Sequence, residues 1–198
     1  MHTLTRAWIY ASTLLLVAAP SAYSQRLSFG AKVGTPLTTP YTVEFVSNGG
    51  ASAGEQRLTI GPTMEVHLPF HLSLEVDALW RQSSFSIIGA NINSLHSSVN
   101  DWQVPVMAKY EGKLGPAHPF IDGGVVYRHV STDSPQSPSN PSTAGVTIGG
   151  GVMLKLLRLR LSPELRYTKW PRPAFSSTYV GPVTSRTNQV DLLIGITF

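Results

Sequence analysis

The chain has 198 residues, enough for one domain plus a leader. Hydrophobic residues make up 42% but charged ones only 13%, roughly half the share of charge in an ordinary soluble domain, so much of the surface is not built for water. Setting Arg6 of the leader aside lowers the formal charge from +4 to +3, and the scattered bases argue against a nucleic-acid partner. The absence of cysteine excludes disulfides, thiolate-bound zinc and thiol catalysis.

Residues 1–24 read as a cleavable signal peptide. Arg6 is the positive head, residues 8–19 form a short apolar run, and Pro20 ends it. Ala22 and Ser24 are the small residues at −3 and −1, which places cleavage before Gln25. No later apolar run approaches the roughly 20 residues of a helical span. If residues 25–198 lie in a membrane, they cross it as strands.

A period of two then recurs along the chain. Residues 27–34 set Leu27, Phe29, Ala31 and Val33 against Ser28, Gly30, Lys32 and Gly34. The same alternation runs through residues 58–68, 72–81, 102–110, 120–128, 146–155, 159–168 and 189–198, a strand signal at every place. The stretch 120–128 is the least regular. Eight strands result, most of them near the roughly 9–11 residues that a tilted strand needs to cross a bilayer. Connections 69–71, 111–118 and 156–158 are short, whereas 35–56, 82–101, 129–144 and 170–188 are long and polar. Short turns on one side and long loops on the other suit an outer-membrane barrel with four long extracellular loops.

The polar face is rich in glycine and poor in lysine, which suits a crowded lumen better than a wetted surface. This facing puts Glu65, Glu75, Asp77, Asp122, Glu164 and Asp191 inside, together with Lys32, Arg81, Lys109, Arg128, Lys155, Arg160 and Arg166. Near balance between acids and bases is what confined, paired charges require, and no wide pore is expected. Trp80, Trp102, Tyr127, Tyr167 and Trp170 map to an outer aromatic girdle, and Phe70, Tyr110 and Phe198 to an inner one. Pro62 and Pro163 fall on the lipid-facing side, where a missing N–H donor calls for a bulge or bend.

The strand Trp102-Gln103-Val104-Pro105-Val106-Met107-Ala108-Lys109-Tyr110 resembles one in the bacterial outer-membrane-protein β-barrel domain family. That group is related in architecture to the OmpA transmembrane domain and the opacity proteins. Gly149-Gly150-Gly151, Leu165-Arg166-Tyr167 and the closing Leu193-Ile194-Gly195-Ile196-Thr197-Phe198 are similar to it as well. Gln103 stands where that family usually has an acid. The resemblance covers nearly all of residues 25–198 and implies an all-β, eight-stranded antiparallel up-and-down transmembrane β-barrel behind the signal peptide. It also implies the bacterial outer membrane as location, with lipid and lipopolysaccharide as surroundings. Ile194, Ile196 and Phe198 resemble the signal read by the barrel-assembly machinery. No peptidoglycan-binding domain follows Phe198, so a wall-tethering role is not expected.

One segment is a candidate for chemistry. His96-Ser97-Ser98, with Asn100 and Asp101 nearby, is loosely like the motif of the lipid A 3-O-deacylases, in which a histidine activates a serine. Here it falls in a polar loop with the asparagine displaced, and chance composition is the stronger reading. His67, His71, His118 and His129 lack metal-ligand spacing, so no metal or other cofactor is expected. Gly149-Gly150-Gly151 lacks the helix and lysine of a phosphate cradle. The expectation is a non-enzymatic envelope protein with surface-interaction roles. A lipid A hydrolase and a soluble lipocalin-like barrel are the alternatives.

Overall fold

The computed structural model describes residues 27–38, 41–43, 49–54, 58–89, 92–132, 138–156, 159–174 and 183–198. The leader, with Ala22, Ser24 and Gln25, lies outside the described residues. Among the described residues, twelve strands are present in chain order. They are β1 (Leu27–Pro36), β2 (Tyr41–Val43), β3 (Gly49–Gly54), β4 (Thr59–His67), β5 (Leu72–Asp77) and β6 (Leu79–Gly89). Then follow β7 (Ile92–Glu111), β8 (Ala117–Thr132), β9 (Ser142–Leu156), β10 (Leu159–Lys169), β11 (Val183–Ser185) and β12 (Asn188–Thr197).

Because β5 and β6 together make one wall strand, eight antiparallel strands close into a ring, sealed where β1 pairs with both β12 and β4. Closure leaves the ring without an edge strand whose N–H and C=O groups lack a partner. Alternation does the rest. Phe29, Ile60, Leu74, Val106, Ile121, Ile148, Leu165 and Ile194 stand exposed on the outside. The residues alternating with them turn inward, and those that are buried are mostly polar or charged.

Several expectations need correction. Residues 82–89 and 92–101 are not loop: β6 and β7 run on as paired strands, with Gln82 opposite Asn100 and Ser86 opposite His96. A ladder that has already formed adds pairs at little further entropic cost, so the serines and asparagines of this stretch are carried along. Loop 35–56 contains β2 and β3. The first pairs with β11 of the fourth loop and the second with β6. The third loop is shortened from both sides by β8 and β9. Pro62 and Pro163 cause no bulge. Gly61 and Thr63 keep the same register on β1, and the ladder between β10 and β9 resumes unshifted from Leu161–Leu154 to Glu164–Gly151. Pro62 instead interrupts the neighbouring strand at Ala78, whose N–H reaches the Pro62 carbonyl at 3.0 Å while Pro62 returns no donor.

Trp170 does not join the outer girdle. It is three residues beyond Tyr167, an odd step, and alternation turns it inward. There it is buried, its indole N–H donating to Gln189 Oε1 at 3.2 Å and the Arg128 guanidinium lying over its ring. Trp102, Tyr127 and Tyr167 are exposed outside toward the long-loop end, and Phe70, Tyr110 and Phe198 toward the short-turn end.

Candidate functional site

Side chains crowd the lumen, and its polar residues fall into three tiers. In the middle tier Glu75 of β5 accepts hydrogen bonds from Lys32 of β1, Lys109 of β7 and Arg166 of β10. Lys32 also reaches Glu164 at 2.8 Å and lies 3.4 Å from Asp77. Arg166 donates to Glu164 at 2.5 Å and to Asp77 at 2.9 Å, and Thr63 donates to the other Asp77 oxygen at 2.6 Å. These acids and bases are buried, so each charge needs its partners to offset desolvation.

Glycines make room for this tier. A Cβ on Gly149 would lie 2.4 Å from Asp122 Oδ1 and 3.0 Å from Glu164 Oε1, and one on Gly195 would meet Ser162 Oγ at 2.4 Å. The notch at Gly149 admits two carboxyls side by side, and the oxygens of Asp122, Glu75 and Glu164 share one small cluster. Neither Asp122 oxygen has a hydrogen-bond partner, although the residue is buried.

Toward the long-loop end, Arg81 donates to Asp191 at 2.7 Å and to Thr59 at 2.9 Å. Gln189 donates to Asp191 at 2.5 Å, and Gln103 donates to Asp101 at 2.9 Å. Leu79, Val99, Val126, Val130 and Trp170 are buried as well. Arg128 is buried beside Trp170.

At the short-turn end the lumen opens. Ser73 donates to Glu65 at 2.6 Å, and Lys109 Nζ lies 3.5 Å from the other Glu65 oxygen and over the buried ring of Phe120. A pocket of about 270 Å³ follows, bordered by His67, His71, Glu111, His118, Lys155 and Arg160. Arg160 is half-buried, its guanidinium against His67 Nε2 and 3.2 Å from Ser28 Oγ. Lys155 is exposed at the mouth rather than enclosed. Sequence spacing missed this grouping because it joins the ends of β4, β7, β8, β9 and β10, which only the closed ring brings together.

Of the proposed hydrolase residues, His96 sits within β7, its side chain outside the described ones. Ser98 is half-buried, and Asp101, three positions on, is buried. Ile194, Ile196 and Phe198 are exposed on the outer face of the closing strand β12.

No protein-family model matches the chain, and no curated protein matches it either. Among solved structures it is similar to the outer membrane protein OprG from Pseudomonas aeruginosa. The TM-score is 0.56 at 14% identity, covering 87% of this chain and 94% of that one. It is also similar to Neisserial surface protein A, at TM-score 0.53 and 14% identity, covering 86% and 94% respectively. The chain has the fold of the small eight-stranded outer-membrane β-barrels of the OmpA-like and opacity-like kind.

Proposed function

We propose that this protein is an integral barrel of the bacterial outer membrane that holds its long hairpins at the cell exterior and serves a non-enzymatic envelope or surface-interaction role. The inverted distribution of residues carries the reading: apolar side chains cover the outside and paired ions fill the inside. In water such an exterior would be a continuous aggregation surface far beyond the few hundred Å² tolerated on a monomer. In a bilayer it contacts acyl chains and lipopolysaccharide. Export would remove residues 1–24, and the barrel-assembly machinery would take up the terminal strand through Ile194, Ile196 and Phe198.

The test is expression with the leader, followed by membrane fractionation. The protein is expected in the outer-membrane fraction, soluble only with detergent, and shifting in gel mobility when boiled. Recovery as a soluble periplasmic monomer would reject the reading. The lipid A mass spectrum is expected to stay unchanged on expression. Loss of an acyl chain that depends on Ser98 would replace the non-enzymatic role with a hydrolase.

A further inference from the structure

We infer that Glu65, His67 and Glu111 form a binding site for a divalent first-row metal ion, zinc in type, at the short-turn mouth of the barrel. A carboxylate oxygen of Glu65, one of Glu111 and a ring nitrogen of His67 all lie within 4.8 Å of one another, so a single ion can touch all three. Glu65 and His67 are two apart on β4 and share its inner face. Glu111 comes from the end of β7, two strands away around the ring.

Three details point to a cation. Glu111 Oε1 is buried and has no hydrogen-bond partner. Lys109, 3.5 Å from the other Glu65 oxygen, is shared with Glu75, and two carboxylates this close still repel unless a proton or a metal ion lies between them. His67 is also oriented for the task. Its Nδ1 faces Glu65 at 3.7 Å, and its Nε2 lies 3.1 Å from Ser28 Oγ. With the metal on Nδ1, Nε2–H donates to Ser28, the outer-sphere contact that fixes a ligand imidazole.

One imidazole nitrogen and two carboxylate oxygens suit zinc and its first-row neighbours better than the all-oxygen shell of calcium. The two carboxylates also neutralise the ion. Three protein ligands leave a position open toward the pocket, whose walls include His71 and His118 and through which the ion enters. Lys113 and Lys155 line the same pocket but are exposed and free to turn to water. Arg160 is the competitor: it lies against His67 Nε2 and must withdraw when that nitrogen carries the proton.

The site is tested by calorimetric titration of zinc into the untagged full-length barrel, folded in detergent and stripped with a chelator. One zinc per chain is expected. His67→Ala and Glu111→Gln should each weaken binding more than about tenfold, the loss typical of even an outer-sphere partner. Arg160→Ala should tighten it, and His129→Ala, exposed toward the other end of the barrel, should leave it unchanged. Gel mobility with and without boiling verifies that each variant is folded. In the unmutated protein, bound zinc should protect His67 from diethyl pyrocarbonate, read by peptide mass. Absence of stoichiometric binding, binding that survives His67→Ala and Glu111→Gln, or equal His67 modification with and without zinc overturns the proposal.

Discussion

Glu75 and Asp122 are two carboxyls in one tier of the lumen, and they should behave oppositely when made neutral. Glu75 accepts from Lys32, Lys109 and Arg166, so Glu75→Gln leaves three buried cations short of a partner. Destabilisation of about 3 kcal/mol or more is expected, as for removing one member of a buried pair. Asp122 has no donor to either oxygen and faces Glu164 across the Gly149 notch. Asp122→Asn should therefore stabilise the barrel, by about 1–2 kcal/mol, the cost of an unsatisfied buried polar group. Urea unfolding of the two variants in the same lipid or detergent measures both. Equal losses would mean that the network does not discriminate between them. The inward facing of these residues was legible in the sequence because each lies an even number of positions from its apolar-flanked neighbours. Which acid meets which base was not, since that depends on how far each strand is staggered around the ring. The mouth pocket was hidden for the same reason. His67, His71, Glu111 and His118 have no shared spacing, and alternation says nothing about strand ends from different hairpins.

Among the connecting elements, the turn between β4 and β5 is made by residues that do not favour it. Phe70 and His71 both have left-handed backbone angles, φ 64° and 63°, in a tight hairpin where Leu72 N–H points back at the Pro69 carbonyl. Type I′ hairpins ordinarily use Asn-Gly here. His71→Gly should relieve about 1 kcal/mol of that strain, read as a higher urea midpoint; a lower midpoint would mean that His71 makes compensating contacts. The next turn already has the favoured residue, with Gly115 at φ 62°. The wall segments with one apolar and one polar face were plain from alternation. The upper parts of β6 and β7 were not, because that contrast ends there. Both faces of residues 82–101 are mixed, so serine and asparagine there imitate a loop. Trp170 was misplaced by treating rim position as sufficient, when parity along β10 decides the face.

At the scale of the molecule, a lumen crowded with paired charges and buried apolar side chains should not pass hydrated solutes. In planar bilayers the unmutated protein is expected to give no steps of porin size, and joint replacement of Lys32 and Glu164 by alanine should raise ion leak. Large steps from the unmutated barrel would contradict a filled interior. The ion pairs also join parts of the chain that are remote from one another: Lys32 and Glu164 are separated by 132 positions, and Arg166 and Glu75 by 91. Until the first and last strands meet, Lys32 lacks Glu164, and Arg166 lacks Glu75 and Asp77, so a half-zipped sheet in a bilayer would carry charges short of their partners into oil. On the outer-membrane reading proposed above, entry into the bilayer and sealing of the ring would be coupled, since the charges of a part-formed wall are the costliest to leave behind in oil.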